Sequence, residues 1–335
     1  MTKQGTGQRT LVLFPGALGD FICFLPALRV LAQAAFVDLL ARSEFADLVP
    51  ETVQVRSLDR YEVNRLFVAG AGNEDKVAGF FAGYDSTYAW MGSGQNLFVR
   101  QLQNLCQGRA HIFSFDSAAT ERHQSEYYLS CLGVAASESL IPTIPLKPQA
   151  KAWSADFWAR HSFEGRPVLI LAPGSGAREK NWPVASFAAV AEWWREQEEG
   201  EPLVVLGPVE EERGGFEPLV RQYTAARNLT LAELAAIMVR GDLYLGNDSG
   251  VTHLAAALGI PTVALFGPSD VKKWRPQGKQ VQVINRVLQC SPCVIAVMKN
   301  CGHRSCLYAL EAAEVIQRLR AMVPGSRLDK VGGRD

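Results

Sequence analysis

The segment that decides the fold is Asp242-Leu-Tyr-Leu-Gly-Asn-Asp-Ser-Gly-Val-Thr-His-Leu-Ala-Ala-Ala-Leu-Gly-Ile-Pro-Thr-Val-Ala-Leu-Phe-Gly-Pro268. Its apolar residues 243–245 predict a strand, and the polar residues 247–250 predict a turn. The Ala/Leu-rich residues 254–258 predict a short helix, and residues 262–266 predict a second strand. A strand, a turn, a helix and a strand in immediate succession indicate a parallel sheet.

The turn in this segment is a candidate ligand site. Asp248 or Ser249 is placed to be the N-cap of the helix, at the carboxyl end of a parallel strand. Free N–H groups and the helix dipole favour a phosphate there, so a diphosphate-bearing ligand suits the position. Asp-Ser-Gly before a helix is also ordinary capping chemistry, and His253 alone is more often a packed residue than a catalytic one.

Composition limits the classes of protein that need to be considered. The 335 residues suit two domains, and 48% hydrophobic with 20% charged residues is typical of a globular protein. The 34 basic residues balance the 34 acidic ones, so no overall positive charge indicates nucleic-acid binding. The polar start of the chain does not resemble a signal peptide, and no apolar run is long enough for a membrane helix. We therefore expect a cytoplasmic protein with at most peripheral membrane contact.

The N-terminal half shows strands that alternate with helices. Residues 10–14 predict a strand, residues 15–20 a Gly-containing turn, and residues 21–35 a helix interrupted by Pro26. Further short apolar runs follow, which predicts a parallel sheet wound on both sides and a Rossmann-like domain. Asp20 falls near the helix start, where a carboxylate can be a cap or a functional group.

Three prolines in Leu140–Pro148 predict a linker between two domains. The second domain then has an apolar strand over residues 167–172, followed by a Gly174-Ser-Gly176 loop in which Arg178 and Lys180 supply positive charge. Such a loop suits close approach of the backbone to phosphate. By itself it is weak evidence, because it has neither the spacing of a P-loop nor that of a dinucleotide fingerprint.

Four cysteines cluster near the C-terminus: Cys290, Cys293, Cys301 and Cys306. One Cys-x2-Cys pair is compatible with a structural zinc or iron–sulfur site, although the whole spacing fits no standard zinc finger. Reduced thiols and a regulatory disulfide remain alternatives.

Three separated motifs resemble those of glycosyltransferase family 9, the ADP-heptose:lipopolysaccharide heptosyltransferases. The family has an Asp-Ser/Thr-Gly-x-x-His-Leu segment followed by Pro, an apolar strand and Gly-Pro-x-Asp, as in residues 248–270 here. It has a Gly-Asp pair before a helix with Leu-Pro-Ala-Leu, as in residues 19–28. It also has Lys-x-Trp-Pro after an apolar strand, as in residues 180–183.

The resemblance implies site residues. It implies that Asp20 is the general base and that Lys180 contacts the donor diphosphate. Ser175 lies in the neighbourhood of the family's phosphate-binding hydroxyl, and Ser249 with Gly250 forms the helix start that faces the diphosphate. Asp248 would hold sugar hydroxyls, and His253 is either a supporting contact or a packing residue.

The resemblance also implies the fold class, α/β with the GT-B architecture of two doubly wound, Rossmann-like domains facing across a cleft. Residues 1–147 would bind the acceptor, and residues 148–335 would bind the nucleotide sugar and end in a helix that packs back toward the first domain.

The function implied is inverting transfer of a sugar, heptose from ADP-heptose, to a lipopolysaccharide-core or related glycan or glycolipid acceptor. No Asp-x-Asp pair is present, so we expect no catalytic divalent metal and no required cofactor. Two alternatives share the phosphate loops: another GT-B nucleotide-sugar enzyme such as an epimerase, and a degenerate nucleotide-sugar binding protein. Retention of Asp20 argues against the second.

Overall fold

The computed structural model describes residues 7–70, 74–116, 121–134 and 140–323. The chain divides into two compact units, with the boundary between Pro145 and Leu146. That boundary falls inside the predicted linker. The assignment of the acceptor to the first unit and of the nucleotide sugar to the second stays a prediction. The polar tail after Pro324 lies outside the described residues.

The first unit contains a five-stranded parallel sheet in the order β3-β2-β1-β4-β5. Its buried central strand β1 explains the apolar run seen in the sequence, since residues 11–13 are fully buried. The strands are β1 Arg9–Leu13, β2 Phe36–Ala41, β3 Val53–Ser57, β4 Ser86–Ala89 and β5 Ala110–Ile112. The helices are α1 Leu18–Ala34, α2 Tyr61–Asn64, α3 Asp75–Ala82, α4 Asn96–Leu105 and α5 Gln124–Cys131.

The second unit contains a six-stranded parallel sheet in the order β11-β10-β9-β6-β7-β8. Its strands are β6 Val168–Ala172, β7 Glu201–Leu206, β8 Thr224–Arg227, β9 Leu243–Asn247, β10 Thr262–Phe266 and β11 Val281–Asn285. Its longer helices are α6 Pro148–Arg160, α7 Val184–Gln197, α8 Pro208–Arg213, α10 Leu231–Met238, α11 Gly250–Ala257 and α15 Ala312–Arg320. Short helices are α9 Glu217–Val220, α12 Val271–Trp274, α13 Ile295–Lys299 and α14 Ser305–Tyr308.

The segment quoted first forms β9, a turn, α11 and β10. The second strand has the predicted bounds, and the helix has Ser249 as its N-cap, one of the two residues predicted for that position; it begins at Gly250, earlier than the Ala/Leu-rich residues 254–258 alone predict. Thr252 explains part of the difference, because its hydroxyl donates to the carbonyl of Asn247 and holds the first turn of the helix against the strand. The predicted interruption at Pro26 is wrong, since α1 continues through this residue.

The last described helix, α15, buries Val315 and Leu319 in the same hydrophobic core as Trp193 and Trp194 of α7. It therefore closes the core of the second unit. The predicted contact of this helix with the first domain stays a prediction.

Both units have the parallel, doubly wound arrangement predicted from the sequence, so the α/β fold class is confirmed. In each sheet the strand order reverses beside the first strand, between β1 and β4 and between β6 and β9. Open α/β sheets bind ligands at such switch points, at the carboxyl ends of the strands. Within the described residues, no helix has the length and apolar character needed to cross a membrane.

Candidate functional site

The turns after β6 and β9 meet at the switch point of the second sheet. There the Lys180 ammonium lies 2.7 Å from Oδ2 of Asp248. The Asp248 side chain is only 6% exposed and that of Lys180 is 28% exposed. Asp248 is held from a third turn as well, because the Ser269 hydroxyl donates to the same carboxylate oxygen. Two residues that are far apart in the sequence therefore form one partly buried charge pair.

The other predicted residue of the Gly-Ser-Gly loop, Ser175, is buried. Its hydroxyl lies 2.6 Å from both the carbonyl oxygen of Ala177 and Oδ1 of Asn181. The Ser175 hydroxyl thus stabilises its own loop by contacts within the loop. Its predicted contact with a donor phosphate stays a prediction.

The start of α11 supplies backbone donors at the same edge of the sheet. Ser249 is the N-cap residue, but its side chain makes no capping hydrogen bond. The Ser249 hydroxyl therefore does not cap the backbone N–H groups of the first turn, which starts at Gly250. The Ser249 hydroxyl instead lies 3.2 Å from that of Thr252. His253 is buried within α11, as both of its interpretations allow. The geometry at Gly250 suits an anion.

One acidic residue near the loop differs from the expectation for its segment. The sequence Glu210-Glu-Glu212 predicts a solvated helix start, which holds for the exposed Glu211 and Glu212 and is wrong for Glu210. Burial raises the pKa of the Glu210 carboxyl, whose Oε2 accepts from the N–H of Gly207 at 3.0 Å. A Cβ on Gly174 would lie 2.2 Å from the Glu210 side chain, so a larger residue there would displace this carboxyl group.

A cavity of about 250 Å³ lies beside this loop and is lined by Ser175, Glu210 and three arginines. Arg213 donates to the carbonyl oxygens of Ser175, at 3.3 Å, and Gly176, at 3.0 Å. Arg178 donates to the carbonyl of Arg213, and Arg304 donates to that of Arg178. These guanidinium groups turn the loop carbonyls toward themselves and keep the surroundings positive.

Asp20 lies in the first unit, in the first turn of α1. Its Oδ2 accepts from the N–H of Ala17 at 3.0 Å, so it does cap the helix. A Cβ on Gly16 would lie 2.7 Å from Cβ of Asp20, which explains a glycine in this turn. Burial and the nearby Asp20 carboxylate together raise the pKa of Tyr128. Capping is compatible with the role of general base, which stays a prediction.

The four clustered cysteines are all free thiols. Burial, with neighbouring cysteines as a smaller cause, raises the pKa of Cys293 and Cys306, so these thiols lie close enough to influence one another. Within the part of the chain that the structure describes, no three cysteine, histidine or acidic side chains converge as metal ligands. A structural metal at these four cysteines stays a hypothesis.

Sequence reasoning missed two polar residues of this site. Ser269 belongs to the Gly-Pro-Ser-Asp motif but received no role, although a hydroxyl in a turn after a parallel strand is a usable signal. Asn247 was assigned to the turn, whereas it ends β9 and is fully buried.

The sequence model of glycosyltransferase family 9 (heptosyltransferase) matches residues 94–301. The match includes Lys180, Asp248 and Ser269, and Asp20 lies outside it. Among curated proteins, lipooligosaccharide heptosyltransferase 2 of Campylobacter jejuni is 29% identical over 176 residues, which are 49% of this chain and 53% of that protein. The chain thus matches about half the length of this relative.

Two solved structures have a similar fold. A family 9 glycosyl transferase from Veillonella parvula superposes with a TM-score of 0.76 at 21% identity, covering 94% of this chain and 97% of that one. ADP-heptose lps heptosyltransferase II of E. coli superposes with a TM-score of 0.70 at 19% identity, covering 97% of this chain and 100% of that one. The GT-B fold class is therefore confirmed. The family model matches more than half of the residues of this chain, which therefore belongs to glycosyltransferase family 9, as its motifs predicted.

Proposed function

We propose that this chain is an inverting glycosyltransferase that transfers heptose from ADP-heptose to a lipopolysaccharide-core or related glycan acceptor. The observation that carries the proposal is the Lys180–Asp248 pair beside the start of α11, at the switch point of the second sheet. An ammonium group and free helix N–H groups are suited to a diphosphate. The names of the curated relatives, which are heptosyltransferases, supply the sugar.

The proposed reaction is a single displacement. Asp20 takes the proton of the acceptor hydroxyl, whose oxygen attacks the anomeric carbon of the donor sugar. The bond from that carbon to the diphosphate oxygen breaks, and ADP leaves with the electron pair. Inversion at the anomeric carbon follows from one attack on the face opposite the leaving group.

The second unit would stabilise the departing ADP. Negative charge grows on the diphosphate as the bond breaks, and the Lys180 ammonium with the N–H groups at Ser249 and Gly250 would stabilise it more than the bound donor. Asp248 would accept hydrogen bonds from sugar hydroxyls with the oxygen that Lys180 and Ser269 leave open. His253 would support the turn from within the helix. These steps use only side chains and backbone groups of the chain.

The acceptor and the place of reaction belong to the same proposal. A lipopolysaccharide-type acceptor is a glycolipid, so the enzyme would work in the cytoplasm at the inner face of the membrane, with peripheral contact at most. Nucleic acid has no role in it.

The test measures ADP release and transfer of heptose by the full chain. ADP-heptose is supplied with and without a lipopolysaccharide acceptor that lacks its heptose, and the product is then analysed by mass spectrometry for the added heptose and by NMR for its anomeric configuration. We expect ADP release only with the acceptor, together with an acceptor heavier by one heptose of inverted anomeric configuration. Rearranged sugar without an acceptor would favour an epimerase, and binding of ADP-heptose without turnover would favour a degenerate binding protein.

A further inference from the structure

Asn247 connects the two turns that form the switch point of the second sheet. Its side-chain Nδ2 donates to the carbonyl oxygen of Pro173 at 2.7 Å, and its Oδ1 accepts from the N–H of Trp182 at 3.0 Å. The residue is fully buried. The two partners fix the orientation of the amide, because a carbonyl can only accept and a backbone N–H can only donate. Asn247 thus holds both ends of the loop that carries Ser175 and Lys180.

The position follows from how the sheet ends. The register of β6 with β9 ends at Ala172 and Gly246. One residue further along, β6 gives way to the loop at Pro173, and the Asn247 amide contacts the Pro173 carbonyl in place of a further backbone pair. The amide therefore stabilises the end of the sheet and fixes the place where the loop leaves it.

The same residue lies next to the other half of the charge pair. Asp248 follows Asn247 directly and receives the Lys180 ammonium at 2.7 Å. The loop that Asn247 holds at Pro173 and Trp182 presents that lysine. The Asn247 side chain thus sets the distance between Lys180 on the loop and Asp248 in the turn that follows β9.

We propose that Asn247 is a positioning residue, whose amide fixes the donor loop so that Lys180 and Asp248 face the diphosphate of the bound nucleotide sugar. This inference rests on the proposed function. Asn247 itself touches neither substrate nor reacting atoms in the proposal. Its contribution is that the ligand meets an already ordered loop, which lowers the entropy cost of binding.

The principal variant is Asn247→Leu, which is similar in size, adds no charge and removes both hydrogen bonds. Asn247→Ser is the second variant and is used if Asn247→Leu does not fold. Serine is smaller and leaves room for a water molecule. The matched control is Gln101→Met in the first unit. The Gln101 amide donates to the carbonyls of Leu66 at 2.8 Å and Val68 at 2.9 Å, so its loss also removes buried amide contacts.

The measurements are ADP affinity by calorimetry and stability by urea unfolding, both on the full chain. We expect each of the three variants to be less stable. We expect Asn247→Leu or Asn247→Ser to weaken ADP binding about tenfold or more, because a displacement of about 1 Å is costly at such a site. Gln101→Met should leave ADP affinity within about twofold, because its contacts lie in the other unit.

A double-variant comparison separates positioning from general destabilisation. In a Lys180→Ala background, loss of the Asn247 amide should weaken ADP binding clearly less than it does in the wild type, because the group that it positions is gone. An equal loss in both backgrounds, or wild-type ADP affinity in both Asn247 variants, would overturn the inference and leave the proposed function intact. A wild-type protein that binds no ADP would overturn both.

Discussion

Replacing Lys180 by alanine tests the donor site, and its first effect is on stability. The substitution leaves the Asp248 carboxylate, only 6% exposed, with the Ser269 hydroxyl and without its cation. Breaking a fully buried ion pair costs about 3–5 kcal/mol. Lys180 is 28% exposed and Ser269 remains, so we expect the free energy of unfolding to fall by about 1–3 kcal/mol. An exposed loop lysine without a partner would instead change stability little when it is replaced.

The second effect is on catalysis, and it separates a donor ligand from a purely structural pair. If the ammonium faces the diphosphate, its loss should lower turnover by about a hundredfold and weaken donor binding less, because the charge grows in the transition state. Inhibition by ADP, which is the departed leaving group, should weaken too. A purely structural lysine would lower stability without this pattern.

The decisive protein is the double variant Lys180→Ala with Asp248→Asn. It has no uncompensated buried charge, so its stability should return toward that of the wild type, whereas the diphosphate still lacks its cation. Inhibition of turnover by ADP should therefore stay weak. The matched control is Lys272→Ala, which removes the same charge from an exposed position of α12 and should change neither property. Wild-type inhibition by ADP in the double variant would refute the contact of Lys180 with the diphosphate.

Three further predictions follow from single side chains. Asp20→Asn keeps an acceptor for the Ala17 N–H, so we expect little change in urea unfolding. Turnover should fall by about two to four orders of magnitude, because the amide cannot act as a general base. Unchanged turnover would remove Asp20 from the mechanism. The raised pKa of Glu210 means that the native state binds the carboxyl proton more tightly than the unfolded state does, so ionisation of Glu210 costs stability as the pH rises above the usual 4.5. Glu210→Gln should therefore melt at a higher temperature than the wild type at pH 7 but not at pH 4. An equal difference in melting temperature at both pH values would contradict this. Elemental analysis of protein purified without chelator tests the cysteine cluster: if Cys290, Cys293, Cys301 and Cys306 hold a metal, about one equivalent of zinc or iron should be present and should be lost in Cys293→Ser, whereas metal-free protein with full activity would leave the four as reduced thiols.

Most of the fold was predictable because the elements that decide it are local. Buried parallel strands appear as apolar runs, and residues 262–266 are apolar apart from Thr262, so that strand was predicted with its observed bounds. The start of α11 followed from the N-cap prediction at Asp248 or Ser249 and not from helix propensity, because Gly250, Val251 and Thr252 favour a helix less than the Ala/Leu-rich residues 254–258. Tertiary contacts, such as that of the Thr252 hydroxyl with Asn247, decide this boundary.

The candidate site was predictable only as a set of separate residues. Lys180 and Asp248 were named for different reasons, and nothing in their 68-residue separation indicates that they form an ion pair. Glu210 shows the same difficulty, since three consecutive glutamates look alike in the sequence, whereas Glu210 is half-buried against Gly174 and the other two are exposed. Burial and pairing depend on which turns the sheet brings together.

The order of the strands explains why these turns meet. In the second sheet β10, β9 and β6 are neighbours, and the turns that follow them contain Ser269, Asp248 and Lys180, respectively. Parallel strands end at one edge of the sheet, so three residues from distant parts of the chain converge there without any local signal. Because Asp248 holds the Lys180 ammonium by an ion pair, the cation is already oriented, and in the proposed reaction the charge that develops on the diphosphate would meet a fixed group rather than a mobile side chain. The carboxylate oxygen that receives Lys180 also receives the Ser269 hydroxyl, so in the same proposal the other oxygen would be the one that contacts the sugar.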